Sequence, residues 1–170
     1  MELFDLYTKD REPTGKIIER GKPIPEGLYH LVVHICVFNS RGEMLIQRRQ
    51  PFKAGWPGMW DVSVGGSAVA GENSKTAAER ETLEEIGLEV SLDRPVLTIH
   101  YDEGFDDFYT VIRDCSTEEL TLQPEEVCDA KWASKEEILA MIRDGSFIPY
   151  HEELIGLLFF LRGHRGSFTE

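Results

Sequence analysis

Residues 64–90 concentrate the side chains of this chain whose types and spacing could perform chemistry. Glu81, Glu84 and Glu85 are three and four residues apart, so in a helix their carboxylates share one face. Like charges so close together destabilise a bare helix. Arg80 can neutralise Glu84 through an i,i+4 contact, and a divalent ion that prefers hard oxygen ligands, such as magnesium, is the obvious partner for the others. The spacing therefore predicts a metal-binding helix face.

The remaining residues of this segment predict how such a helix packs. Leu83 and Ile86 point away from the glutamates and are expected in the core. Ala77 and Ala78 lie one turn earlier on the acidic side, where small side chains let another backbone approach closely. The expected neighbour is Gly65-Gly66.

These residues match a known signature at every fixed position: Gly66, Glu72, Arg80-Glu81, Glu84-Glu85 and Gly87-Leu88. Thr82 departs from the usual bulky aliphatic residue, which is a change in packing and not in ligands. The chain therefore resembles the Nudix family. The resemblance implies an α/β (α+β) Nudix fold with a mixed β-sheet sandwiched between helices, and a signature box at residues 66–88. It also implies metal-dependent hydrolysis of a diphosphate linkage in a nucleoside diphosphate derivative, with Mg²⁺ or Mn²⁺ as cofactor.

The resemblance also implies roles for individual residues. The metal ligands would be Glu81, Glu84, Glu85 and the carbonyl near Gly65, and Arg80 would orient a glutamate. Glu72 would act from outside the metal's ligand set or bind the metal through water, and the general base stays open. The candidate catalytic residues are thus Glu72, Arg80, Glu84 and Glu85.

A second resemblance leads to an alternative function. The segment "HLVVHICVFNSRGEMLIQRRQPFKAGWPGMWDVSVGGS" is similar to isopentenyl-diphosphate isomerase, another enzyme with the Nudix fold. Gly65 and Ser67 stand where the isomerase has its catalytic cysteine and a metal-binding histidine, and of its other histidine ligands only His30 has a counterpart. Without the thiol, hydrolysis is favoured over isomerisation. A Nudix module that binds its ligand without turnover is the remaining alternative.

Basic and aromatic residues just before the box predict where the substrate binds. Arg48, Arg49 and Lys53 could hold phosphate groups, because a guanidinium offers two parallel hydrogen bonds to phosphate oxygens. Strand alternation sends Arg48 and Arg49 to opposite faces, so at most one points inward. Trp56 and Trp60 are interpreted as loop anchors packed on the sheet, with Trp60 kept as a substrate-binding candidate.

Several further polar residues allow two readings. His30 and His34 lie in an apolar strand and are interpreted as hydrogen-bonded core histidines. Asp106 or Asp107 could add a carboxylate to the metal cluster, or could belong to an acidic, turn-like hairpin at 102–109. Glu125 is a surface residue and a second candidate base.

Hydrophobic periodicity and turn residues predict the elements that position these side chains. Their order favours a mixed sheet with helices packed on it. We expect strands at 28–39 and 44–49 in a buried hairpin, a loop at 56–60 and a short strand at 61–64. Further on we expect a helix from the N-cap Ser74 to Gly87, strands near 94–103, 107–114 and 127–133, a helix from the capping box of Ser134 and Glu137 to about Arg143, and a last helix from Pro149 to Gly163.

Length and composition limit the partners and the location. The 170 residues fit one core, with residues 1–28 as an N-terminal extension, irregular or hairpin-bearing, and residues 29–170 as a single Nudix domain. A net charge of -13 disfavours a nucleic-acid polymer, and the small-molecule diphosphate substrate is the expected partner. No apolar run long enough for a membrane span and no signal peptide is visible, so we expect a cytoplasmic protein with no membrane contact. The cysteines, Cys36, Cys115 and Cys128, are expected to be reduced thiols. A homodimer is possible, because Leu3, Phe4 and Leu6 of the extension could cover a partner subunit as easily as their own core.

Overall fold

The chain forms two β-sheets and three α-helices in a computed structural model that describes residues 2–168. Met1, Thr169 and Glu170, at the ends of the predicted extension and domain, lie outside the described residues. The strands are β1 (Leu3–Tyr7), β2 (Pro13–Glu19), β3 (His30–Phe38), β4 (Met44–Arg49), β5 (Trp60–Asp61), β6 (Val64–Ser67), β7 (Leu97–Tyr101), β8 (Gly104–Ile112) and β9 (Val127–Ala133). The helices are α1 (Ser74–Ile86), α2 (Lys135–Asp144) and α3 (Glu152–Leu161), with a 3-10 turn at Thr117–Glu119.

The larger sheet is mixed and has β3 near its centre. Its main path runs β5-β4-β3-β8-β7, with β6 paired to β3 and β9 paired to β4. β3 and β8 are parallel, from His30 opposite Gly104 to Phe38 opposite Ile112. β6 runs antiparallel to β3, with Val33 opposite Gly66 and His34 opposite Gly65. The predicted mixed sheet with helices packed on it is confirmed.

The predicted buried hairpin of β3 and β4 is wrong beyond its turn. The two strands pair only at Phe38 and Met44. Further along they diverge, and the side chain of Ser63 bridges the gap by accepting a hydrogen bond from the Val37 N–H and donating one to the Leu45 carbonyl. This divergence leaves an edge of β3 free for β6, which brings Gly65 and Gly66 into the sheet.

Two hydrophobic clusters lie on opposite faces of the sheet, as the alternation along β3 requires. Leu31, Val33, Ile35 and Val37 pack in the cluster that includes Ala77, Ala78 and Ile86 of α1. Cys36 and Phe38 pack in the other cluster, with Ile138 of α2 and Ile155, Leu158 and Phe159 of α3. Two consecutive residues of β3 therefore face two different hydrophobic clusters.

Helix α1 begins one residue earlier than expected. Its N-cap is Asn73, whose side chain accepts from the Thr76 N–H while the Thr76 hydroxyl accepts from the Asn73 N–H. Ser74, the predicted cap, is buried and hydrogen-bonds Asp107 and Tyr109 instead. Gly87 ends the helix in the left-handed conformation (φ 71°), as predicted.

The predicted apolar face of α1 is corrected at one point. Leu83 is 54% exposed, so only Ile86 of the predicted pair is in the core. Ala77 and Ala78, one turn before Glu81 on the same side of the helix, are fully buried in the core. The helical repeat of 3.6 residues per turn does not determine which of Leu83 and Ile86 is buried, and the position of the sheet against the helix decides it.

Of the strand and helix boundaries predicted after α1, some are confirmed and others are shifted. Strand β9 and the capping box of Ser134 and Glu137 are confirmed. β8 already begins at Gly104, so most of the predicted acidic turn is strand. The last helix begins at Glu152, three residues after the predicted Pro149.

The N-terminal extension is a hairpin of β1 and β2 that packs on its own chain. Phe4 and Leu6 are buried, and Phe4 stacks on His30. The three cysteines are free thiols. Within the described residues, no helix is long and apolar enough to cross a membrane.

Candidate active site

A cavity of about 580 Å³ lies between α1, β6 and the loops after β4 and before β9. We call it the acidic cleft. Most of its charged lining residues are carboxylates. The charged residues that line it are Glu2, Arg20, Arg49, Lys53, Arg80, Glu81, Glu84, Glu85, Glu125 and Glu126. The structure thus places Glu81, Glu84 and Glu85 in one cavity, whereas Glu72 does not line it.

Gly66 is the residue that lets α1 approach the sheet. A Cβ at this position would lie only 2.2 Å from the Cδ of Glu81, a distance that atoms in contact do not reach. The glycine therefore gives the Glu81 side chain its place against the β6 backbone. The close approach predicted for Gly65-Gly66 occurs, but the side chain it admits is Glu81 and not Ala77 or Ala78.

Glu85 is the most buried carboxylate of the cleft, with 5% of its surface exposed. Burial raises its pKa to about 8. The hydrogen bond from Gln47 lowers this pKa, whereas the charges of Glu81 and Glu126 raise it further. The Gln47 Nε2 donates to Glu85 Oε2 at 2.9 Å. Burial likewise raises the pKa of Glu81. Both carboxylates are costly to ionise in the absence of a cation.

Arg80 joins three of the carboxylates of the box into one network. Its Nε and Nη2 donate to the two oxygens of Glu72 at 2.7 and 2.9 Å. Its Nη1 donates to Glu84 at 3.0 Å, which confirms the predicted i,i+4 contact, and lies 3.1 Å from Glu81. Burial tends to raise the pKa of Glu72, but the Arg80 hydrogen bonds and the Val69 N–H hold it below its ordinary value.

Among residues 2–168, no three Asp, Glu, His or Cys side chains converge closely enough to hold a metal ion. The contacts of Arg80 explain this arrangement, because the guanidinium draws Glu81 and Glu84 towards itself. Glu85 is turned towards Gln47. A cation would have to compete with Arg80 for two of the three carboxylates.

The predicted substrate-binding residues separate into two groups. Arg49 and Lys53 line the cleft, whereas Arg48 is exposed and donates to the Gly58 carbonyl. The two arginines thus point to opposite faces, as strand alternation requires. Trp60 is outside the cleft, in strand β5, and packs beneath Lys131, whose Nζ lies 4.9 Å from the ring centroid. It is therefore neither a loop residue nor part of the lining of the cleft.

A second cavity, of about 300 Å³, adjoins the cleft at Arg49 and at residues 65–67. We call it the side cavity. Its wall includes Val32, Trp56 and Ile148 and three polar residues: His34, Asp61 and Tyr150. Burial raises the pKa of Asp61, which accepts a hydrogen bond of 2.9 Å from the Tyr150 hydroxyl. The side cavity therefore combines aromatic and apolar surface with buried hydrogen-bonding groups.

The two strand histidines are less fully bonded than predicted. His30 Nε2 contacts the Tyr101 hydroxyl at 2.6 Å, and His34 Nε2 contacts Asp106 at 3.3 Å. The Nδ1 atom of each is buried and has no hydrogen-bond partner within the described part of the chain. His34 Nδ1 lies near Gly65, where a Cβ would be 3.5 Å away.

The two aspartates proposed as further metal ligands lie elsewhere. Asp107 is fully buried and binds Arg11, Ser74 and Thr98. Asp106 faces His34 on the other side of the sheet. Neither lines the acidic cleft.

Sequence reasoning missed several residues of the cleft. Glu126 lines it and pairs with Lys53 at 2.5 Å, next to the predicted candidate Glu125. Gln47, the partner of Glu85, could have been found by alternation, since it lies two residues before Arg49 on the same face of β4. Glu2 and Arg20 left no local signal, because they reach the cleft through the packing of the N-terminal hairpin.

Comparisons with known proteins identify the family of this chain. A model of the NUDIX domain matches residues 28–151. An uncharacterized Nudix hydrolase of Listeria monocytogenes is 48% identical over 152 residues, which cover 88% of this chain and 90% of the relative. Isopentenyl-diphosphate Delta-isomerase of Escherichia coli is 28% identical over 134 residues, 75% of this chain and 74% of that enzyme. The crystal structure of DR0079 from Deinococcus radiodurans superposes with a TM-score of 0.76 at 28% identity, covering 92% of this chain and 97% of the other.

Proposed function

The chain belongs to the Nudix hydrolase family, and on that basis we propose that it uses a divalent cation in the acidic cleft to hydrolyse a nucleoside diphosphate derivative. The observation that carries this proposal is the pair of carboxylates, Glu81 and Glu85, that lie together in the cleft with Glu85 buried. Burial raises the pKa of both, and a cation beside them would favour their charged forms. Arg49 and Lys53 line the same cavity. The cleft thus offers one wall to a cation and another to phosphate groups.

The donor chemistry of the cleft suits a hard cation such as Mg²⁺ or Mn²⁺, which would bind once Glu81 and Glu84 turn from Arg80 towards it. Glu81, Glu84, Glu85 and the Gly65 carbonyl supply oxygen ligands only, which these ions prefer. A bound cation would neutralise charge on the diphosphate and lower the pKa of the attacking water.

Arg80 and Glu72 act as a positioning pair in this proposal. Glu72 is bound on both oxygens by Arg80 and also accepts from the Val69 N–H, so it is poorly placed to take a proton from water. Its role is to hold the guanidinium beside Glu81 and Glu84. The candidates for general base are then Glu84, which is half exposed, and Glu125, which also lines the cleft.

Arg49 and Lys53 are proposed to bind the phosphate groups. Arg49 is held by the Gly55 carbonyl at 3.0 Å and lines both the cleft and the side cavity. It can therefore contact a substrate that extends from one cavity into the other. Arg48 and Trp60, which lie outside the cleft, have no part in this proposal.

Metal dependence is tested by removing the cation. Excess chelator is expected to lower hydrolysis of a nucleoside diphosphate panel by more than about 10²-fold, because the carboxylates alone cannot stabilise the added charge of the transition state. Release of phosphate or nucleoside monophosphate measures the rate, and Mg²⁺ or Mn²⁺ should restore it. Undiminished turnover in chelator would sink the metal assignment. Absence of turnover for every substrate, with binding retained, would favour a binding module.

The side cavity is proposed to hold the group attached to the diphosphate. The Tyr150 hydroxyl donates to Asp61 and can still accept a hydrogen bond, so Tyr150→Phe should lower kcat/KM for nucleoside diphosphate derivatives by about three- to tenfold. Hydrolysis of inorganic pyrophosphate, which lacks that group, should be unchanged. Tyr29→Phe, outside both cavities, is the matched control. An equal loss for both substrates would show that Tyr150 supports the fold and does not select the substrate.

A further inference from the structure

The N-terminal hairpin is firmly attached to the rest of the chain. Tyr7 and Tyr29 exchange backbone hydrogen bonds of 2.8 and 3.0 Å, and the Ala70 N–H donates to the Leu3 carbonyl at 2.7 Å. Arg11, in the turn of the hairpin, forms a two-point ion pair with the buried Asp107. Both ends of the hairpin are therefore held in place.

This attachment brings the open end of the hairpin to the acidic cleft. Glu2 and Arg20, which flank β1 and β2, both line the cleft. The Arg20 N–H donates to the Glu2 carbonyl, and the Arg20 Nη1 lies 2.5 Å from Glu2 Oε2. Both residues precede the stretch 28–151 that matches the NUDIX domain.

The cations of the cleft differ in how firmly they are held. Arg80 is engaged by Glu72, Glu81 and Glu84, and Lys53 is paired with Glu126 at partly buried positions. The pair of Arg20 and Glu2 is more than half exposed, with 58% and 51% of the two side chains accessible. Exposed ion pairs contribute little stability, so Arg20 can exchange its partner at small cost.

We propose that Arg20 is a phosphate-binding residue of the cleft, contributed by a hairpin outside the NUDIX domain, and that Glu2 occupies its guanidinium until a substrate phosphate displaces it. A guanidinium binds phosphate oxygens through two parallel hydrogen bonds, and the positive guanidinium and the negative phosphate also attract each other. The proposal rests on the proposed function, since it needs a diphosphate in the cleft. It makes the N-terminal extension part of the active site.

The test measures binding of methylenediphosphonate, a non-hydrolysable diphosphate, as its magnesium complex by titration calorimetry. Arg20→Ala should weaken the Kd by about five- to tenfold, and Arg20→Lys should recover part of the loss because the charge remains without the two-point geometry. Lys16→Ala is the matched control, since Lys16 is an exposed cation of the same hairpin that does not line the cleft. It should stay within about twofold of the parent, because an exposed charge outside the cleft acts weakly. Melting temperatures verify that each variant is folded.

A double-mutant cycle tests the role of Glu2. Glu2→Gln should tighten binding in the parent and have a smaller effect once Arg20 is alanine, because there is then no ion pair to displace. An equal effect in both backgrounds would mean that Glu2 only repels the ligand. If Arg20→Ala and Lys16→Ala bind equally well, the role of Arg20 is overturned while the proposed function stands. If the parent chain does not bind the magnesium complex at all, the proposed function fails as well.

Discussion

Replacing Glu85 by glutamine is expected to lower the rate of hydrolysis by about 10²- to 10⁴-fold while the fold is kept. Glutamine has the size and the helix propensity of glutamate but lacks its charge, so the proposed cation loses a ligand. The rate is measured at saturating Mg²⁺ on the substrate that the panel identifies. Glu89→Gln is the control, because Glu89 is exposed just beyond the end of α1 and should tolerate the same change within a few fold.

Stability without metal should change in the opposite direction. The folded pKa of Glu85 is raised from 4.5 to about 8, so between these pH values the folded state holds a proton that the unfolded state has lost. The free energy of unfolding of the parent therefore falls as the pH rises through this range, and Glu85→Gln removes that loss. The variant should gain stability relative to the parent from pH 5 to pH 8, as measured by urea unfolding in chelator. Equal rates for the Glu85 and Glu89 variants would refute the hydrolytic role of the acidic face.

Gly66→Ala is expected to lower the rate by about 10²-fold through misplacement of Glu81. The new Cβ would lie 2.2 Å from Glu81 Cδ and 2.3 Å from its Oε1, so the side chain must rotate out of its position. The collision is with the end of a flexible side chain and not with backbone, so the fold should survive. Rates at saturating substrate and Mg²⁺, together with melting temperatures, measure the two effects separately.

Gly156→Ala is the matched control for this substitution. Gly156 is inside α3, and a Cβ there would meet nothing within 4 Å. Alanine should leave the rate unchanged and stabilise the helix by about 0.5–1 kcal/mol. If Gly66→Ala retained full activity, Glu81 would not need its present position, and its assignment as a ligand would be wrong.

The residues proposed to bind the metal are close in sequence, and for that reason their clustering could be predicted. Glu81, Glu84 and Glu85 share a face because the helix repeat places them there, and Arg80 reaches Glu84 over one turn for the same reason. The left-handed cap at Gly87 and the capping box of Ser134 likewise depend on a few adjacent residues. Such features depend on backbone geometry that neighbouring residues specify among themselves.

The surroundings of the site depend on contacts distant in sequence, and only the tertiary structure decides them. Alternation along β4 places Gln47 on the face of Arg49, but its contact with Glu85 depends on the divergence of β3 and β4 around Ser63, which no pattern within either strand predicts. From the sequence alone Leu83 and Ile86 are equally suited to the core, and the side of α1 that packs on the sheet determines that only Ile86 is buried. Arg20 reaches the cleft only because Tyr7, Leu3 and Arg11 anchor the hairpin to residues far along the chain. Short-range spacing therefore determined which groups come together in the proposed metal site. Long-range packing decided how deeply these groups are buried, which cations face them and what lies beside them.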